Sequence, residues 1–221
     1  GLDHQQLLEK LLPVYIQLLS ALQQAGAEWV QLDEPSLVTD LEPAASALYE
    51  TAYSSIKAAL PSLKILLTTY FGGLEDNTAL ALQLPVDALH IDLVRAPEQL
   101  EPVLEALPEN KLLSLGVVDG RNIWKNDYSA SLALIEKASR HIGEHRLLLG
   151  TSCSLLHSPY NLENETTLDP EIRQWMAFAK QKVAEVTALK QVAAGDHSLL
   201  EENRQIMDSR KTAARIHNPA V

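Results

Sequence analysis

The segment Trp29-Val30-Gln31-Leu32-Asp33-Glu34-Pro35 joins a short strand-like run directly to a polar cluster. The arrangement recurs four more times, mostly as near-continuous Leu, Val and Ile without the alternation of a half-buried strand. Helical stretches lie between the runs, which predicts parallel connections. The further runs, each with its polar end, are Ile65-Leu66-Leu67 before Thr68-Thr69-Tyr70, Leu89 to Leu93 with His90 and Asp92, Leu112 to Val118 before Asp119-Gly120-Arg121, and Leu147-Leu148-Leu149 before Ser152-Cys153-Ser154.

The number of βα units limits the possible architectures. A closed (β/α) barrel has eight units in about 250 residues. Five units and their flanking helices already occupy these 221 residues. We therefore predict an α/β fold, a TIM-type (β/α) barrel that is incomplete and contains about the last five βα units, the missing units preceding Gly1. An open, doubly wound sheet is the alternative, although no G-x-G-x-x-G supports its nucleotide-binding form.

A single partial domain is predicted for residues 1–221. Residues 1–194 would hold the βα units and the closing helix of the barrel, and residues 195–221 a short helix and the start of an interdomain linker. The closing helix is expected from Asp169-Pro170-Glu171 to Gly195, and Ser198 with Glu201 forms a capping-box pattern for the last helix. The apolar stripes are Ile172, Met176, Ala179, Val183, Val186 and Leu189 on the closing helix, and Leu8, Leu12, Ile16, Leu19 and Leu22 on the first helix, which Pro13 would kink or restart.

Composition excludes several classes of protein. The formal net charge is -11 and the pI is near 5.0, so nucleic acid or an anionic membrane surface would be repelled. No apolar run reaches the roughly 20 residues of a membrane span, and no signal-peptide pattern follows Gly1. A single cysteine, Cys153, excludes an internal disulfide and fits a reducing compartment. We expect a cytoplasmic protein.

Charged residues at strand ends are the candidates for ligand binding. Asp33 and Glu34 could supply a general base and a ligand contact, but adjacent strand residues point to opposite faces, so only one is expected to face a pocket. A carboxylate that caps a helix or strand terminus is an equally good interpretation. Asp119-Gly120-Arg121 forms a turn pattern followed by a cation. Arg121 or Arg95 could bind a carboxylate through two hydrogen bonds, or form a salt bridge at the rim.

Two further patterns carry possible chemistry. His90 and Asp92 share one strand face, which suits two metal ligands or a His-carboxylate pair, but a catalytic zinc site needs three protein ligands. Cys153 could join them, although a lone cysteine among apolar residues is more often a small buried hydrophobe. A nucleophilic serine site would use Ser152 or Ser154 with His157, and Asp119 or Asp92 as the orienting acid. No G-x-S-x-G is present, and turn hydroxyls usually bond to nearby backbone, so this reading ranks last.

Several strings together resemble the amino-terminal domain of cobalamin-independent methionine synthase. The resemblance spans nearly the whole chain in order, and the combination is more specific than any one string. The strings are Glu28-Trp29-Val30-Gln31-Leu32-Asp33-Glu34-Pro35, Leu66-Leu67-Thr68-Thr69-Tyr70-Phe71, Leu89-His90-Ile91-Asp92-Leu93-Val94, Gly120-Arg121-Asn122-Ile123-Trp124, Ser152-Cys153-Ser154-Leu155-Leu156-His157-Ser158-Pro159 and Arg215-Ile216-His217-Asn218-Pro219-Ala220-Val221.

The resemblance implies a two-barrel enzyme that moves a methyl group from 5-methyltetrahydropteroyl-polyglutamate to homocysteine. It places zinc and homocysteine in a carboxyl-terminal barrel outside this chain. When the two barrels of that family are compared, Thr69 and Phe71 stand at ligand positions for histidine and cysteine, and Asp92 and Cys153 at those for glutamate and cysteine. Thr69 is a poor zinc ligand and Phe71 is none, so no metal is expected in this chain.

The resemblance therefore predicts a fragment that scaffolds the folate cleft and is inactive alone. Its partners would be the carboxyl-terminal barrel, folate polyglutamate and homocysteine. Asp33, Asp119 and Arg121 are the expected substrate contacts. Two open sheet edges and an uncovered apolar face also predict self-association of the fragment. A stand-alone pterin- or anion-binding module that uses Arg95 and Arg121 is the main alternative.

Overall fold

The computed structural model describes residues 3–217 of the chain. Residues 218–221, which carry the end of the predicted linker, lie outside the described residues. The strands are the five expected from the sequence, and the α/β class is confirmed. They are β1 (Trp29–Asp33), β2 (Lys64–Thr68), β3 (Ala88–Asp92), β4 (Leu112–Val118) and β5 (Leu147–Thr151).

Helices connect the strands, and α2 and α5 each begin at a residue that suits a helix start. Pro43 occupies the first turn of α2, where its missing N–H costs nothing, and Asp127 caps α5 through the N–H groups of Ser129 and Ala130. The helices of residues 3–217 are α1 (His4–Gln24), α2 (Pro43–Ala59), α3 (Thr78–Gln83), α4 (Leu100–Ala106), α5 (Tyr128–Ile142), α6 (Pro170–Arg173), α7 (Ala179–Ala193) and α8 (His197–Thr212).

The chain divides into two compact units, Gly1–Ser114 and Leu115–Val221, and the boundary falls inside β4. In the first unit the strands follow chain order, and β2 is parallel to both β1 and β3. In the second unit β5 follows β4, and the Ser152 N–H donates to the Val118 carbonyl at 2.7 Å. The prediction of a single domain stays a prediction.

Two strands of the first unit, β2 and β3, are largely buried as their composition predicts, whereas Trp29, Gln31 and Asp33 of β1 are exposed. Every residue of β3 is buried, and Ile65 and Leu67 of β2 are fully inaccessible. Near-continuous apolar strands are what a sheet covered on both faces requires. This burial fixes the positions of the polar residues that follow β2 and β3.

Helix α1 differs from its predicted packing. It runs through Pro13 as one helix rather than restarting there. Of the predicted apolar stripe, Leu19 is buried but Leu22 is exposed. Large apolar side chains remain exposed along this helix and define a surface that we call the α1 apolar face; they are Leu7, Leu11, Val14, Tyr15, Leu18 and Leu22.

The predicted closing helix of the second unit is wrong in its extent. Helix α6 ends at Arg173, and α7 begins only at Ala179. Between them Met176 forms an antiparallel bridge with Trp124, and the Lys125 N–H donates to the Trp175 carbonyl at 2.8 Å. Apolar residues in this interval are therefore buried by a strand-like contact, although their spacing imitates a helix.

The predicted face of α7 and the predicted length and cap of α8 also need correction. The buried residues of α7 are Lys182, Glu185, Leu189 and Val192, whereas Val183 of the predicted stripe is 56% exposed. Helix α8 has 16 residues and is not short. Its cap is the Asp196 carboxylate, which accepts from the Ser198 and Leu199 N–H groups, because a carboxylate satisfies two amides at once. The Ser198–Glu201 capping box is thus wrong.

Within residues 3–217, no helix combines the length and the apolar character needed to cross a membrane.

Candidate functional site

The first polar cluster lies where β1 ends. Asp33 is the last residue of β1, and Glu34 already belongs to the following turn, Pro35–Val38. Both residues line one cleft of about 790 Å³. The expectation that only one of them faces a pocket is wrong, because strand alternation stops at Asp33.

Two tyrosines of α2 hold the Glu34 carboxylate. The Tyr53 hydroxyl donates to Oε1 at 2.8 Å, and the Tyr49 hydroxyl donates to Oε2 at 3.3 Å. Burial raises the pKa of Glu34, the tyrosine hydrogen bonds lower it, and the neighbouring Asp33 charge raises it further. Tyr53 itself is 2% exposed, and burial raises its pKa. Sequence reasoning missed these tyrosines, although their spacing of four on α2 places them on one helix face.

Asp33 has different partners and remains exposed. Its Oδ1 accepts from the Gln31 side-chain amide at 2.7 Å, and its Oδ2 accepts from the Tyr70 hydroxyl at 3.3 Å. The remainder of the cleft wall is largely apolar and comes from α1 and α2. Asp33 therefore stays a candidate ligand contact in the first unit.

Asp92 organises the ends of β2 and β3. Its Oδ2 accepts from the Phe71 N–H at 3.0 Å, and its Oδ1 accepts from the N–H groups of Val94 at 3.0 Å and Arg95 at 2.9 Å. The side chain is fully buried, and burial raises its pKa although all three N–H groups lower it. Both oxygens thus serve the backbone, so this carboxylate acts as a structural clamp.

The geometry around Asp92 does not favour a metal. His90 Nδ1 pairs with the Ser114 hydroxyl at 2.8 Å, and the Thr69 hydroxyl donates to the His90 carbonyl at 2.8 Å. Phe71 occupies a left-handed backbone conformation with φ of 78° and offers no ligand atom. Among residues 3–217, no three His, Cys, Asp or Glu side chains come together to hold a metal ion.

The second unit carries a polar loop after β4. The Asp119 carboxylate accepts from the Arg121 N–H at 2.7 Å and from the Asn122 side-chain amide at 2.8 Å. The Asn122 oxygen accepts in turn from the Trp124 N–H at 3.0 Å. These bonds fix a tight turn that leaves Arg121 exposed. Asp119 therefore fixes the shape of the loop, and the loop holds Arg121 at the protein surface.

A buried lysine holds this loop from α7. Lys182 is fully buried, and its ammonium group donates to the Asn122 Oδ1 and to the Trp124 carbonyl, both at 3.0 Å. Burial lowers the pKa of Lys182, while Glu185, Asp119 and Cys153 raise it. Sequence reasoning missed Lys182. The spacing could have indicated it, because Lys182 lies three residues before Glu185 and seven before Leu189, and residues so spaced share one helical face.

The two candidate nucleophiles, Ser152 and Ser154, accept hydrogen bonds from backbone N–H groups. The buried Ser152 hydroxyl accepts from the Gly120 N–H at 3.2 Å, and the Ser154 hydroxyl accepts from the Leu156 N–H at 3.3 Å. A Cβ on Gly120 would lie 2.7 Å from the Cys153 carbonyl oxygen and 2.9 Å from its sulfur. Gly120 is therefore required for close packing against Cys153, and the hydroxyls have local structural roles.

The fold and these loops define an α/β protein with candidate ligand contacts at the ends of its strands. A family model described as "Cobalamin-independent synthase, N-terminal domain" matches residues 1–143, and the chain belongs to that family.

Two curated relatives share this similarity over almost all of the chain. Both are named 5-methyltetrahydropteroyltriglutamate--homocysteine methyltransferase. The protein of Xylella fastidiosa (strain M23) is 48% identical over 224 residues, which cover 100% of this chain and 29% of that protein. The protein of Coxiella burnetii (strain CbuG_Q212) is 51% identical over 219 residues, which cover 97% of this chain and 28% of that protein. The chain thus spans less than a third of the length of these relatives.

A solved structure supports the fold. It is described as a putative vitamin-B12 independent methionine synthase from Listeria monocytogenes, and it superposes with a TM-score of 0.59. The superposition covers 87% of this chain and 55% of that chain at 20% identity. At this identity the likeness concerns the fold alone.

Proposed function

We propose that this chain is part of the N-terminal region of a methyltransferase that transfers a methyl group from 5-methyltetrahydropteroyl-polyglutamate to homocysteine, forming methionine. The observation that carries the proposal is the 48–51% identity to proteins named for this reaction, which extends over 97–100% of the chain. The five βα units would belong to an incomplete TIM-type barrel. The single cysteine is consistent with a cytoplasmic location.

The role that we propose for the chain is to scaffold the folate cleft. Asp33, Asp119 and Arg121 are the proposed substrate contacts. Support comes from the loop after β4, in which Asp119 and Lys182 fix the backbone so that Arg121 is held exposed. An arginine presented in this way suits a carboxylate such as those of a polyglutamate tail.

The catalytic metal is proposed to lie in the rest of the longer protein. The residues of this chain do not fit zinc, because both oxygens of Asp92 already accept backbone N–H groups and Phe71 has no ligand atom. The chain alone is therefore expected to be inactive, with the carboxyl-terminal barrel as its partner.

Calorimetry and activity assays test this proposal. The 221-residue chain should give no methyl transfer, and the longer protein should be active. In the longer protein, Arg121→Ala should weaken folate polyglutamate binding by roughly tenfold, since one charge-assisted hydrogen-bonded pair is lost. Arg140→Ala is the control, because Arg140 is exposed on α5 and pairs there with Glu136. Turnover by the chain alone would refute the scaffolding role.

A stand-alone pterin- or anion-binding module is the second candidate. One observation favours it: every residue that fixes the Arg121 loop belongs to the second unit of this same chain. The same calorimetry separates the two candidates. A module should bind the folate polyglutamate without the rest of the longer protein, whereas a scaffold should not.

A further inference from the structure

The second unit contains a cleft that the proposed function does not use. Its volume is about 530 Å³, within the usual range for small-molecule sites. Residues from the start of α5, from α6 and from α7 form its walls. The charged wall residues are Lys125, Arg173 and Glu185, and the apolar ones include Leu162 and Met176.

Glu185 is the informative wall residue. It is 4% exposed, and its Oε1 accepts from the Asn126 N–H at 2.9 Å. Its Oε2 is buried and has no hydrogen-bond partner among the described residues. A buried polar atom without a partner lacks the hydrogen bonds that water would supply, and the cost is larger when the group is charged. A ligand that brings a hydrogen-bond donor to this oxygen would remove that cost.

The neighbouring lysine does not satisfy this carboxylate. Lys182 lies three residues earlier on α7, but its ammonium group donates to Asn122 and to the Trp124 carbonyl. Burial raises the pKa of Glu185, whereas the Asn126 N–H, Lys182 and Lys125 lower it. The pKa of Glu185 is raised overall because burial outweighs the two lysines and the Asn126 N–H, and a cationic donor at Oε2 would oppose this effect.

The other charged wall residues restrict the ligand further. Lys125 and Arg173 are half-buried, and neither is part of an ion pair in the described residues. A simple cation would be repelled by these two side chains, and a simple anion would leave Glu185 unsatisfied. A ligand that carries both charges meets both requirements. The apolar contribution of Leu162 and Met176 adds a preference for an apolar body.

We propose that this cleft binds a small zwitterionic amino acid with an apolar side chain. Because Oε2 is buried, the Glu185 carboxyl group would rotate toward the ligand so that the ammonium group donates to this oxygen. The carboxylate of the ligand would face Lys125 and Arg173. The apolar side chain would contact Leu162 and Met176. The inference depends on the second unit alone and is independent of methyl transfer.

The test is an NMR titration of the 221-residue chain with L-leucine. We expect saturable shifts of the backbone amides around Lys125 and Glu185, with a Kd of about 1 mM or tighter. Two analogues of leucine test its charged groups separately: 4-methylpentanoate lacks the ammonium group and 3-methylbutylamine lacks the carboxylate. Each should bind at least about tenfold more weakly than leucine, because one charged contact is lost.

Variants assign the binding to this cleft. Glu185→Gln keeps an oxygen for the Asn126 N–H and should weaken leucine binding at least about tenfold. Glu109→Gln is the matched control, since Glu109 is an exposed acid that does not line the cleft. Ala188→Leu fills the cleft while keeping Glu185, so it should abolish leucine binding. This second variant keeps the proposal testable if Glu185→Gln folds poorly.

The opposite results would overturn the proposal. These are the absence of saturable shifts with leucine, equal binding by the Glu185→Gln variant with its fold retained, and equal binding of 3-methylbutylamine and leucine. Unchanged leucine binding by the folded Ala188→Leu variant would also overturn it.

Discussion

The buried carboxylate of Asp92 accepts a hydrogen bond from the backbone N–H of Phe71 at 3.0 Å, and Phe71 holds a φ of 78°. A left-handed conformation is unfavourable for a bulky residue and persists only when its surroundings enforce it. Asp92 supplies part of that enforcement. The position that the family resemblance relates to a metal ligand therefore has a structural role here.

Replacing Asp92 by asparagine should destabilise the chain. The amide group would turn an N–H toward a backbone N–H that now donates to the carboxylate, with an expected loss of about 1–3 kcal/mol in the free energy of unfolding. Urea denaturation measures this change. The matched control is Asp76→Asn, because Asp76 is exposed. Equal stability of the two variants would contradict the clamp.

The pH dependence of stability should report Glu34. Its pKa is raised in the folded state, chiefly by burial. The folded state therefore retains a proton that the unfolded state has lost, and stability falls as pH rises from the ordinary pKa to the raised one. Glu34→Gln should flatten this fall in urea denaturation between pH 4 and neutrality. Glu50→Gln, at an exposed position of α2, should leave the profile unchanged.

Gly120→Ala should be costly. The added Cβ would lie 2.7 Å from the backbone oxygen of Cys153, which cannot rotate away. We expect a loss of about 1–3 kcal/mol in unfolding free energy, as for other overpacked sites. Gly72→Ala is the control, since its Cβ would meet Val38 at an ordinary 3.4 Å. Similar melting temperatures for both variants would show that the chain near Gly120 yields easily.

Lys182→Met should loosen the loop after β4. The substitution keeps an unbranched side chain of similar volume but removes the two hydrogen bonds to Asn122 and the Trp124 carbonyl. We expect a loss of about 1–3 kcal/mol and faster amide exchange in residues 121–125. Lys180→Met removes only an exposed ion pair with Glu163 and should change stability little. Slow exchange in the Lys182 variant would argue against its anchoring role.

The α1 apolar face should drive self-association of the isolated chain. Single apolar residues scattered over a surface are common, but six large ones exposed on one helix indicate an interaction surface. Sedimentation should show concentration-dependent association, and Leu18→Glu should reduce it. Val183→Glu, at a lone exposed apolar position of α7, should not. A monodisperse monomer at all concentrations would contradict this expectation.

The sequence predicts the strands well and the closing helices poorly, for physical reasons. Apolar runs identify β2 to β5. The interval between α6 and α7 was mispredicted because Ile172 and Met176 are spaced as on a helix. Only the bridge from Trp124, 52 positions before Met176, decides that structure.

The candidate site shows the same limit. The polar strand ends were identified because parallel strands bring them to one edge. Local spacing places Tyr49 and Tyr53 on one face of α2, but it does not identify Glu34 as their partner. In the same way, the spacing on α7 does not identify Asn122 as the partner of Lys182. Buried lysines are rare, and α7 buries Glu185 beside Lys182, so its charge pattern does not reveal which face is buried.

The Lys182 anchor has a consequence for engineering. A loop that owes its shape to a side chain 60 residues further along cannot be transplanted as a continuous peptide. A designer who grafts residues 119–124 onto another scaffold would need to supply a buried ammonium group from a separate helix, and a combinatorial library of the loop should vary Asn122 and Lys182 together.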